Sequence, residues 1–130
     1  MLRKWIADKP CKLIKSNNYF RKKLKWGWMA PHPTMYLQRE FQKEIGFFDE
    51  KFKISFDYDF IIRAFQKDTL RSFYLPQTIV NMKIGGNSNK SILNILKKTR
   101  EDLRIIYKNN LNSYLTLIFK NLRKIHQFFI

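Results

Sequence analysis

The amino-acid sequence predicts an α/β chain of few short strands plus helices. Two observations carry that expectation. Short runs suited to extended structure lie at 34–37, 70–75 and 78–84, and runs with helical apolar spacing lie at 39–45, 55–66, 92–106 and 111–129. Glycine, proline and asparagine punctuate the joints between them. Strands followed by helices place a chain in the α/β class, although so few strands make a partial sheet. The length, 130 residues, suits one domain. Apolar residues make up 45% of it, too many for a disordered chain even at a net charge of +16.

The first 25 residues are basic and read as irregular, with Pro10 and Ser16-Asn17-Asn18 as turn signals. Arg21-Lys22-Lys23-Leu24-Lys25 reads as a solvated basic face. Trp26 to Thr34 is a loop by its Gly27, Pro31 and Pro33, and the prolines hold Ala30 and His32 extended. Thr34–Leu37 reads as a short strand and Arg39–Ile45 as a short helix closed by Gly46. Ser55 to Gln66 is a helix apolar nearly all round, which predicts burial, with Asp57 and Asp59 at the positive end of its dipole.

Leu70–Leu75 and Thr78–Ile84 read as strands separated by Pro76, the second broken by Gly85-Gly86. Ile92, Ile95, Leu96, Thr99, Leu103 and Ile106 mark an amphipathic helix ended by Asn109-Asn110, with Ser88 or Ser91 as its cap. A last helix, about Leu111 to Phe129, carries Leu111, Leu115, Ile118, Leu122, Ile125 and Phe129 on one face. Lys120, Arg123 and Lys124 lie toward the other.

Charge bounds the partners. Lys and Arg number 26 against 10 Asp and Glu, which implies an anionic partner: nucleic acid, an acidic membrane surface or a phosphorylated substrate. No RNP, KH or zinc-finger pattern appears and the aromatics fall at core spacings, so nucleic acid is not favoured. Cys11 is the only cysteine, which excludes an internal disulfide and suits a reducing compartment. No signal-peptide pattern is visible, and the longest apolar run near the end is far below the ~20 residues that span a bilayer. The expectation is a cytoplasmic chain, peripheral at the inner face of the cytoplasmic membrane if the last helix binds lipid.

A series of short motifs is more specific. Trp26-Gly27-Trp28-Met29-Ala30-Pro31-His32-Pro33-Thr34 is followed by Gly46-Phe47-Phe48-Asp49, then by Phe56-Asp57-Tyr58-Asp59-Phe60-Ile61-Ile62-Arg63. Tyr74-Leu75-Pro76 and Met82-Lys83-Ile84-Gly85-Gly86-Asn87-Ser88-Asn89 complete it. Each is weak alone. In this order they resemble the G-W-M-x-P-H-P-T, G-x-F-D and (E/A)-D-Y-(D/E)-L-x-x-R stretches of bacterial family 2 glycosyltransferases of the GT-A type, in a subgroup that builds surface polysaccharides. The resemblance covers about residues 26–111. It implies a partial GT-A fold: residues 1–110 as the acceptor-side portion and 111–130 as an amphipathic basic helix. The Rossmann-like half that binds the nucleotide sugar, with its Asp-x-Asp motif, is not in this sequence. The implied complete enzyme uses Mg or Mn, with ligands outside this chain. The implied partners are a nucleotide-sugar donor, a saccharide or lipid-linked acceptor, a separate N-terminal half and an anionic membrane surface. The isolated chain is expected to be inactive.

Inverting glycosyl transfer needs a base that takes the proton of the attacking acceptor hydroxyl, and charge stabilisation of the departing diphosphate. By resemblance Asp57 is the base; an ordinary helix-start carboxylate is the alternative. The family's Glu before it is Phe56 here. Asp59 and Arg63, in favourable i, i+4 order, read either as a structural ion pair or as substrate contacts. His32 suits substrate positioning or a structural role. Trp28, like Trp26, suits stacking on a sugar ring or core packing. Lys83 suits phosphate, and Gly85-Gly86 suit either a close ligand approach or a plain turn. Many relatives place a metal-binding His where Gly85 stands. Outside the glycosyltransferase reading, the composition fits a basic nucleic-acid-binding protein or a non-catalytic peripheral membrane protein.

Overall fold

The computed structural model describes residues 12–15, 18–74, 80 and 92–128. Helix dominates them. Strand β1 (Lys12–Lys15) pairs antiparallel with β2 (Arg71–Tyr74), Lys12 opposite Tyr74 and Lys15 opposite Arg71. The helices are α1 (Asn18–Lys25), α2 (Arg39–Ile45), α3 (Phe56–Gln66), α4 (Ile92–Lys108) and α5 (Ser113–Phe128).

Helix α3 is the centre. Tyr58, Ile61, Ile62, Ala64 and Phe65 are buried on it, as its all-round apolar pattern predicts. It meets α1, α2 and α4, while α5 lies against α4 and α1. Leu24, Ile45, Ile105, Ile106 and Leu111 close the core around it. Truncating such a wholly buried isoleucine as Ile61 or Ile106 to Ala typically costs about 2–5 kcal/mol.

Helix ends follow from local chemistry. Gly27 (φ 68°) ends α1: the Gly27 N–H donates to Leu24 O at 3.0 Å and the Trp28 N–H to Lys23 O at 3.0 Å. Asn110 (φ 55°) ends α4 in the same way, through Asn110 N–H to Tyr107 O and Leu111 N–H to Ile106 O. Both are left-handed caps that satisfy two trailing carbonyls, and Gly and Asn tolerate that conformation best.

Several sequence expectations are corrected. The α/β expectation holds in part: the described residues are mostly helix, and their strands form one two-stranded antiparallel ribbon. The strand expected at 34–37 is instead a 3-10 turn over His32–Thr34 followed by extended chain without a ladder. Thr34 N–H and Oγ1 both bond to Pro31 O, at 3.0 and 2.8 Å, and that closes the turn. Residues 12–25, read as irregular, hold β1 and α1, because Leu24 supplies a core contact that anchors the basic run as a helix. The strand expected at 78–84 lies outside the described residues apart from Val80, as do Ser88 and Ser91. No described helix is long and apolar enough to cross a membrane.

Candidate active site

The Pro-His-Pro turn and the start of α3 converge. His32 Nδ1 lies 3.2 Å from Asp57 Oδ2. The other carboxylate oxygen, Oδ1, accepts the Tyr58 N–H at 2.8 Å. Together with Gln42 they form the polar side of an open cavity of about 220 Å³, whose apolar side is Met35, Leu37, Phe48, Phe60 and Ile61. Phe48 is fixed there by ring contacts to Phe56 at 5.3 Å and Phe60 at 4.8 Å. The Asp57 side chain is 22% exposed and that of His32 54%, so both reach solvent. A carboxylate held by a backbone N–H and a histidine beside an open cavity can accept a proton from a bound hydroxyl.

The start of α3 is held from α4. Ser55, its N-cap residue, makes no side-chain cap bond. Instead Glu101 accepts three backbone N–H groups: Lys53 on Oε1 at 3.0 Å, and Ile54 and Ser55 on Oε2 at 2.9 Å each. Burial works against the charged carboxylate, but these bonds outweigh it and hold Glu101 below the ordinary carboxylate range. Asp57 stands two residues beyond this clamp.

Asp59 and Arg63 lie elsewhere. Asp59 is fully buried and faces Arg63 Nε at 2.8 Å and Lys108 Nζ at 3.1 Å. Arg63 donates its remaining nitrogens to Ile45 O at 2.6 Å and Phe47 O at 2.7 Å. The guanidinium therefore grips the turn around Gly46 (φ 85°) and fastens the G-x-F-D segment to α3. Lys108 also reaches Asp49 Oδ2 at 2.9 Å, closing the network from the motif's own Asp. That bond holds Asp49 below its ordinary range. Burial pulls Lys108 down, but its bonds to Asp49 and Asp59 outweigh it and raise its pKa.

Of the residues read as substrate-binding, His32 lines the cavity beside the predicted base Asp57. Asp59 and Arg63 do not line it, because their polar atoms are occupied by protein partners. Trp28 packs edge-on against Phe65 at 5.4 Å and does not line it either. Lys83, Gly85 and Gly86 lie outside the described residues. Among the described residues no three of His, Cys, Asp and Glu stand close enough to share a metal ion.

Sequence reasoning missed Gln42, Glu101 and a buried pair behind α3. Lys120 Nζ sits 2.6 Å from Asp102 Oδ2 and 3.4 Å from the centre of the Tyr58 ring. Burial pulls Lys120 down to about 8, against the opposing pull of Asp102. Burial, then the Asp102 charge, push the Tyr58 hydroxyl up. The missed signal was scarcity: with 10 acids among 26 bases, an acid pair inside a basic helix marks an internal partner.

Compared with protein-family models, curated proteins and solved structures, the chain matches none.

Proposed function

We propose that this chain is the acceptor-side, base-bearing portion of a family 2 sugar transferase with a partial GT-A fold. In this reading Asp57 takes the proton from an acceptor hydroxyl as that oxygen attacks the anomeric carbon of a nucleotide sugar, whose bond to the diphosphate oxygen breaks and releases the nucleoside diphosphate. His32 orients the carboxylate and offers Nε2 to the substrate. The cavity's apolar side suits the C–H face of a pyranose ring. Asp59, Arg63, Asp49 and Lys108 position the α3 start rather than touch substrate.

The observation that supports this reading is the meeting of two motifs far apart in sequence. The P-H-P turn and the D-Y-D helix bring His32 and Asp57 to 3.2 Å at the cavity. An incidental helix-start aspartate has no need of a histidine from a rigid proline turn. The donor nucleotide and its divalent metal belong, on this reading, to a Rossmann-like half supplied by other residues.

The test is to co-express the chain with a Rossmann-like donor half, if one is encoded immediately upstream, and assay nucleoside diphosphate release from uridine and guanosine diphosphate sugars. Release by the pair and by neither part alone is expected. An inert pair, or turnover by the chain alone, contradicts the proposal.

A further inference from the structure

Helix α5 is mounted with its apolar stripe outward. Its inward side carries two polar anchors beside Leu117, which packs on the core: Thr116 is fully buried and its Oγ1 donates to Lys25 O at 2.8 Å, while Lys120 is held by Asp102. Gly27 permits this mounting, because a side chain there would collide with the backbone of Lys120 and with Thr116 O. Leu115, Ile118 and Leu122 consequently point to solvent, each at least half exposed. Spacings of i, i+3 and i+7 make them one stripe.

The stripe continues at its edge. Phe119 lies against Trp26, ring centres 4.7 Å apart, and Trp26 is itself 56% exposed. On neighbouring α4, the first two turns expose Ile92 and Leu96 as well. So much outward aliphatic surface beside an exposed tryptophan marks a binding face.

Charge selects the occupant. Over residues 92–128 the only acids are Glu101 and Asp102, and both are engaged internally, by backbone N–H groups and by Lys120. The exposed ionic groups on α4 and α5 include Lys97, Arg100, Arg104 and Arg123, with Lys22 and Lys25 on α1. A second copy would bring like charges together in a chain of net charge +16. Nucleic acid leaves the leucines unburied. An anionic bilayer surface satisfies both features: aliphatic side chains and Trp enter the acyl boundary while Lys and Arg meet lipid phosphates.

We infer that the outward face of α5, with Trp26 and the start of α4, docks on an anionic membrane surface. The inference stands apart from the sugar-transfer reading, since it uses neither Asp57 nor His32.

The test is co-sedimentation with vesicles of phosphatidylcholine and phosphatidylglycerol in about equal parts, and with phosphatidylcholine alone. The chain is expected to sediment with the anionic vesicles, less so at high salt, and weakly with the zwitterionic ones. Leu115→Gln, Ile118→Gln and Leu122→Gln combined should reduce partitioning by at least about tenfold with unchanged helicity, because these side chains are exposed. In the unaltered chain, lipids brominated on their acyl chains should quench tryptophan fluorescence, which does not depend on how the variant folds. Absence of binding, absence of quenching, or a folded triple variant that sediments like the parent overturns the inference. So does self-association that the triple variant abolishes while vesicle binding persists, since the stripe would then be a contact between copies.

Discussion

Removing the Glu101 carboxylate should loosen the segment that leads into the candidate base. Glu101→Ala leaves three backbone N–H groups without their acceptor: those of Ile54 and Ser55, part-buried, and that of Lys53, exposed. A hydrogen bond to a charged group contributes about 1.5–3 kcal/mol, and the part-buried pair at the low end of that range gives about 3 kcal/mol. Water replaces the carboxylate at exposed Lys53, so its share is about 0.5 kcal/mol. A total near 3.5 kcal/mol is a large part of the roughly 5–15 kcal/mol that stabilises a domain. With a urea slope of about 2 kcal/mol/M, the midpoint should fall by roughly 1.7 M.

The pH dependence gives a second reading of the same variant. Glu101 is held below its ordinary value of 4.5, so its contribution is present above that pH and is lost as pH falls through the folded value. The stability gap between parent and Glu101→Ala should therefore narrow in acid. Urea titrations at neutral pH and in acid measure both effects. A midpoint unchanged by the substitution, or a gap that does not narrow in acid, would show that the Glu101 carboxylate does not hold this segment.

Gly27→Ala combines a left-handed conformation, about 1–2 kcal/mol, with a collision that lifts α5 from the Lys25 and Trp26 carbonyls. The sum should be on the order of 3–4 kcal/mol in urea unfolding, with faster hydrogen exchange in α5; slow exchange there contradicts the docked arrangement. Asp59→Asn leaves Arg63 and Lys108 without their buried counter-charge and should destabilise by about 3–5 kcal/mol, read as a lower melting temperature; an unchanged melt contradicts it. Lys120 is held at about 8 against 10.5 unfolded, so between those values the unfolded chain binds more protons and this group makes stability rise with pH. Lys120→Met should remove that rise, which amounts to at most about 3 kcal/mol in stability measured across the window.

Local signals made the central helices legible. Gly46, the all-round apolar run of α3 and the Asn109-Asn110 end each act within a few residues, and α2, α3 and the end of α4 fall where those signals place them. Strand expectations fared less well, since extended residues such as Thr34–Leu37 need a partner strand that local sequence does not name. α5 was legible as amphipathic but not in orientation. Its spacing shows one apolar and one basic side, yet which side faces the core depends on distant Gly27 and Asp102.

At the site, Asp57 and His32 were singled out from sequence, but their meeting was not visible there because the intervening residues set it. Arg63 shows the converse. The i, i+4 spacing correctly pairs it with Asp59, while its grip on Ile45 O and Phe47 O appears only in the fold.

The proposed role of Asp57 as proton acceptor is tested by the turnover of Asp57→Asn in the reconstituted pair. Asp57 is partly exposed and outside the buried network, so the variant should fold and melt like the parent. A fall in kcat of about 10²–10⁴-fold is expected with acceptor KM little changed, and a smaller fall for His32→Ala. Turnover by Asp57→Asn equal to that of the parent would contradict it.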